Sequence, residues 1–169
     1  MTIQLTQSQR LAALDTTNKR QSSSAGSKHA RGLNPAKSSE VAKLGCLGEV
    51  SFCVAYRLPI KLSVNEWSNP DFIVNGTPID VKTSKGDTLY VSQCHYRKDW
   101  TYVLVKQLDE VTFELVGGIK ARDLKDEWLC NPGNRIDARN NEPALCWAVP
   151  RHALRPMPNP AKFFNQYAK

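Results

Sequence analysis

The sequence predicts an α/β domain in which a mixed central β-sheet is flanked by helices. Three observations carry this expectation. An apolar stripe of Val41, Leu44, Gly48, Phe52 and Ala55 recurs at helical spacings of three and four. An Asn75-Gly76 dipeptide lies between two apolar runs, the strongest short-range signal of a β-hairpin. Short β-branched and aromatic runs separated by polar turns then follow, as in a sheet. The chain has 169 residues, enough for one domain with its own core and tails.

Taken in order, residues 1–37 read as a basic, flexible arm. The run Gln21-Ser-Ser-Ser-Ala-Gly-Ser-Lys-His-Ala-Arg-Gly has no apolar periodicity and cannot bury enough surface to offset its ordering entropy. A short helix over residues 3–14 is compatible with Ile3, Leu5, Leu11 and Leu14. The main helix is expected over Ser39–Arg57, with Ser38 or Ser39 as N-cap, Glu40 in its first turn and Pro59 beyond its end. Gly45 and Gly48 each cost a helix interior roughly 1 kcal/mol against alanine, so something is expected to approach closely there. Strands are expected over Leu58–Val64, Phe72–Val74, Thr77–Thr83, Thr88–Val91, Tyr102–Lys106 and Val111–Val116. A helical turn is expected between Ser92 and Trp100, and a short helix over Ala121–Leu129. Asn131–Pro143 reads as a polar loop, Ala144–Val149 as a further strand, and residues 151–169 as a proline-rich tail. The Gly117-Gly118 pair reads as a strand-end turn.

The formal net charge of +7 favours a polyanionic partner. The five cysteines form no CxxC pair, and none stands near a histidine at zinc-finger spacing. Reduced core cysteines in a cytoplasmic protein are therefore expected, and no structural zinc. No apolar stretch is long enough to span a membrane. The first residues lack the basic-then-apolar pattern of a secretory signal, so none is expected.

Chemistry concentrates in Asn69-Pro-Asp71-Phe-Ile-Val-Asn75-Gly76-Thr-Pro-Ile-Asp80-Val-Lys82-Thr. A two-residue hairpin at Asn75-Gly76 pairs Val74 with Thr77, Ile73 with Pro78 and Phe72 with Ile79. Continued by one step, it sets Asp71 opposite Asp80, with Cβ atoms about 5 Å apart. Lys82, two residues on, shares their side of the strand, while Phe72, Ile79 and Val81 point to the core. Two opposed carboxylates repel, which a purely structural hairpin avoids. A divalent cation reverses that sign, and Mg²⁺ or Mn²⁺ suits carboxylate oxygens shared with water and a phosphate oxygen. Lys82 would orient or deprotonate the attacking water, or pair with the phosphate.

These residues resemble the PD-(D/E)xK nuclease superfamily, with Pro70-Asp71 as the PD element and Asp80-Val81-Lys82 as (D/E)xK. The resemblance covers roughly residues 38–106. It implies a restriction-endonuclease-like core over residues 38–150 and a metal-dependent DNA endonuclease of restriction, homing or Holliday-junction-resolvase type. It further implies a homodimer or higher homo-oligomer, Glu49 as an added acidic ligand, and the Val81 carbonyl on the metal. Gln93 and Tyr96 resemble the accessory glutamine–tyrosine pair of some branches, one residue short of the usual spacing. DNA phosphates are expected to meet Lys28, Arg31 and Lys37 of the arm, Lys85 beyond the lysine strand, and Arg135 and Arg139 of the polar loop. Two other readings compete. One is a nuclease-fold DNA-binding or protein-interaction module without cleavage. The other is an RNA-directed protein, which would expose stacking aromatics from among Tyr90, Tyr96, Trp100 and Tyr102.

Overall fold

The structure is a computed structural model that describes residues 1–24, 35–64, 69–133, 136–137 and 142–158, with backbone alone at Ser24 and residues 35–37. Lys28, Arg31, Arg135 and Arg139 lie outside the described residues, as does the Lys37 side chain.

The first elements depart from the expected arm. Strand β1 (Thr2–Gln4) buries Ile3, and helix α1 (Gln7–Ser24) follows it. The helix start is a capping box: the Gln9 N–H donates to Thr6 Oγ1 at 3.3 Å, and the Thr6 N–H donates to Gln9 Oε1 at 2.8 Å. Ala13 and Thr17 bury one face of α1 among the core residues. Residues 1–24 are thus part of the packed fold, because Ile3, Leu5 and Ala13 supply the apolar surface that the polar run after them lacks.

Helix α2 (Pro35–Tyr56) begins earlier than its serine caps implied, and from Cys46 to Cys53 it is buried on every side. It ends where Arg57 takes a positive φ of 53° and the Leu58 N–H donates to the Cys53 carbonyl at 2.8 Å. Residues 58–64 form no strand; Leu58 and Leu62 instead pack irregularly against the core. Strand β2 (Phe72–Val74) and strand β3 (Thr77–Ser84) make the expected hairpin, in the register Phe72↔Ile79, Ile73↔Pro78 and Val74↔Thr77. Asn75 and Gly76 both have positive φ, 50° and 73°, as a type I′ turn requires.

Strand β4 (Thr88–Ser92), a one-turn helix (Gln93–His95), β5 (Thr101–Gln107) and β6 (Thr112–Lys120) come next. Two separate single turns, Ala121–Asp123 and Asp126–Trp128, stand where one short helix was expected. The chain then supplies β7 (Leu129–Cys130), β8 (Ile136–Asp137), β9 (Glu142–Pro143) and β10 (Cys146–Pro150). Gly117 and Gly118 lie inside β6 beside a register shift, and not at a turn. A Cβ on Gly117 would stand 2.6 Å from the Arg155 carbonyl oxygen, so the C-terminal segment crosses too closely for a side chain.

The fold is α/β. A mixed five-stranded sheet runs β1-β6-β5-β3-β2, with β3 and β5 parallel and the other neighbours antiparallel. One face carries Ile79, Val81, Val103 and Val105 and packs on α2 residues such as Leu47, Val50 and Phe52. The opposite face carries Tyr102, Leu104 and Ile119. A second sheet, ordered β4-β10-β7, covers it through Leu89, Val91 and Val149. The helices therefore flank one face, and strands occupy the place of the helices expected on the other. Among the described residues no cysteine forms a disulfide; Cys46, Cys53 and Cys146 are buried as expected of core cysteines, whereas Cys94 is exposed and Cys130 half-buried.

Candidate active site

Strand β2 stops at Phe72, so the upper half of β3 has β5 on one edge and no ladder partner on the other. That open edge leaves backbone groups to be satisfied. Asp71 answers it: its Oδ2 accepts the Val81 N–H at 2.7 Å. A residue's carbonyl leaves a strand on the same edge as its N–H, so the Val81 carbonyl faces this edge as well.

A cavity of about 920 Å³ opens at this edge. Asp71, Asp80, Val81 and Lys82 line it from the hairpin, Glu49 and Gly45 from α2, and Arg20 from α1. Asp80 and Lys82 share the face of Tyr102 and Leu104, their register partners on β5. Glu49 approaches from the helix side, and its placement follows from Gly48. A Cβ at Gly48 would lie 2.8 Å from Thr83 Cβ, so glycine lets α2 sit directly on β3.

The carboxylates are heavily compensated. Arg20 makes a bidentate pair with Glu49, at 2.8 Å on both oxygens, and its Nε donates to the Ser63 carbonyl at 2.9 Å. Asp80 Oδ2 lies 2.7 Å from Lys82 Nζ. This buried oxygen is held by the ion pair and by no other hydrogen bond. Burial, then Glu49 and Asp80, push the Asp71 carboxyl up to about 8, against the opposing pull of the Val81 N–H and Lys82.

No protein-family model, curated protein or solved structure matches the chain. The functional reading rests on the residues themselves.

Among the described residues, no three or more His, Cys, Asp or Glu side chains converge as a ready metal site. Glu49 is turned onto Arg20 and Asp80 onto Lys82, which accounts for this. The donor chemistry nevertheless fits a hard divalent cation. Asp80 Oδ2 is buried with only the Lys82 ammonium beside it, and burial, then Glu49 and Asp80, push the Asp71 carboxyl up. A bound cation would give the Asp80 oxygen a further partner and favour the charged form of Asp71.

Of the other predicted residues, Lys85 lines the cavity and is exposed. Gln93 and Tyr96 do not line it: Gln93 is exposed, and the Tyr96 ring packs on Trp147 at 5.3 Å between centroids. Arg20 escaped the sequence reading because it was assigned to the arm; the Thr6-x-x-Gln9 capping box was the signal that extends α1. His95, expected at a partly exposed surface position rather than at the site, lines the cavity; the wall formed by Tyr90 and Trp100 was missed as part of it, since it depends on how the two sheets meet.

Proposed function

We propose that the chain is a metal-dependent DNA endonuclease with a restriction-endonuclease-like core of the PD-(D/E)xK type. One observation carries this reading: Asp71, Asp80 and Lys82 line one cavity at the open edge of β3, with Glu49 beside them. Mg²⁺ or Mn²⁺ would be held by Asp71 and Asp80, helped by the Val81 carbonyl and by Glu49 once it exchanges Arg20. Such a cation supplies a water of lowered pKa and neutralises charge on the attacked phosphate.

The protein's own residues do the rest. Asp71 and Asp80 would hold the cation that meets the scissile phosphate, which makes binding of the scissile group depend on metal. Lys82, released from Asp80, orients the attacking water and pairs with the phosphate oxygen as negative charge builds there. Lys85 and the net positive charge of the chain hold the flanking phosphates. A second reading, a DNA-binding module without cleavage, is favoured by one feature: Glu49 and Asp80 already have cationic partners.

Incubation with plasmid, linear, branched and single-stranded DNA separates the two readings. Cleavage of at least one form in Mg²⁺ or Mn²⁺, abolished by chelator and absent in Ca²⁺, is the expected result. Binding of DNA with no cut product under any of these conditions transfers the assignment to the binding module.

A further inference from the structure

The far wall of the cavity is aromatic, and packing does not account for all of it. β3 ends at Ser84, turns through Lys85-Gly86 and continues as β4, which belongs to the second sheet. Lys106 and Arg151 both grip Asp87 in this link, at 3.0 Å and 2.8 Å, and so set β4 against the first sheet. On β4, Leu89 and Val91 are fully buried, yet Tyr90 between them is 46% exposed. Its register partner on β10 is the small Ala148, so the neighbouring strand leaves the ring room.

Nearby aromatics have structural duties. Tyr102 is buried and donates its hydroxyl to the His95 carbonyl at 2.9 Å, and Tyr96 packs on Trp147. Trp100 packs against the core of the second sheet and lies under the Arg97 guanidinium at 5.9 Å. Tyr90 instead lines the cavity that holds Asp71, Asp80 and Lys82, with His95 and Lys85 also on its walls. A phosphate gains nothing from an aromatic face, whereas a nucleobase stacks on one. Bases inside a duplex are stacked on one another and cannot reach such a ring.

We infer that Tyr90 forms a stacking subsite for an unpaired nucleobase of the strand whose phosphate enters between Asp71, Asp80 and Lys82. The inference rests on the nuclease reading and narrows its substrate to single-stranded or locally opened DNA. Lys85 lines the same cavity, where it can meet a phosphate next to that base.

Tyr90→Phe and Tyr90→Leu provide the test, because both keep the side chain's bulk while only the first keeps an aromatic face. Binding of a labelled oligothymidylate and of a labelled blunt duplex is measured by fluorescence anisotropy in Ca²⁺. Cleavage of both is followed separately in Mg²⁺. Tyr90→Leu should weaken single-strand binding about tenfold and leave duplex binding nearly unchanged, while Tyr90→Phe binds as wild type. Equal weakening on both DNA forms, no change on either, or a wild-type preference for the blunt duplex overturns the subsite. Cleavage that proceeds with no Tyr90 dependence sinks the subsite and leaves the nuclease reading standing. Tyr90-dependent single-strand binding with no cleavage does the reverse.

Discussion

Glu49, Asp71 and Asp80 bring carboxyl groups to one cavity, and each is compensated differently: by Arg20, by a proton and by Lys82. The proton on Asp71 has a consequence for stability. Its folded-state value of about 8 lies above the ordinary 3.8, so between these limits the folded chain holds a proton that the unfolded chain releases. Stability from this group is therefore full at low pH and declines as pH rises through that window, levelling off above it. Asp71→Asn can still accept the Val81 N–H but never ionises. It should flatten this decline and stabilise the metal-free protein by roughly 2 kcal/mol above pH 8. Urea unfolding in chelator at acidic and alkaline pH measures this, and an asparagine variant less stable than wild type on the alkaline side contradicts it. Arg20→Ala acts in the opposite sense, since it strands the Glu49 carboxylate, whose side chain is 8% exposed. A loss of about 2–4 kcal/mol is expected, with Arg20→Lys recovering part of it because lysine lacks the bidentate fork. Equal stability of Arg20→Ala and wild type in the same unfolding assay would show the pair to be inert.

The β2–β3 hairpin was legible in the sequence because its determinants are local. Asn75-Gly76 dictates the turn and the turn dictates the register as far as Phe72↔Ile79; the ladder stops there, short of the expected Asp71–Asp80 pair, and Asp71 reaches the same cavity by accepting the Val81 N–H. Helix α2 was legible in kind, though its start was not. The strand expected over residues 58–64 failed because apolar residues alone do not make a strand: Leu58 and Leu62 found a core to pack against without a ladder. Helix α1 and its Arg20 went unread because a short capping box was outweighed by the polar serine run that follows. The two glycines of α2 separate neatly in the structure. Nothing lies within 4 Å of a Cβ built on Gly45, whereas one on Gly48 collides with Thr83. Gly45→Ala should therefore stabilise by up to about 1 kcal/mol. Gly48→Ala should destabilise by about 2 kcal/mol or more, by lifting α2 and the adjacent Glu49 away from β3. Thermal unfolding of the two variants checks the contrast, which is lost if both shift the midpoint the same way.

Two layers of different kind enclose the central sheet, helices on one face and a three-stranded sheet on the other. This asymmetry was beyond the sequence, because β4 pairs with β10 across more than fifty residues of chain. It matters for function: the cavity lies where the layers part, with acids and Lys82 at the edge of β3 and aromatics on the β4 side. No helix among the described residues is long and apolar enough to cross a membrane. The net charge of +7 suits the polyanionic partner proposed above. Within this arrangement the Lys82 ammonium sits 2.7 Å from Asp80 Oδ2, and its side chain is 31% exposed against 10% for Asp80, so its removal costs stability as well as chemistry. Single-turnover cleavage of DNA by wild type and Lys82→Ala, at saturating Mg²⁺, therefore reads the chemical step itself. Loss of cleavage by roughly a hundredfold or more, with DNA affinity preserved under conditions where the variant remains folded, is the predicted result. A Lys82→Ala enzyme that cuts at the wild-type rate would place the active centre elsewhere and remove the nuclease assignment.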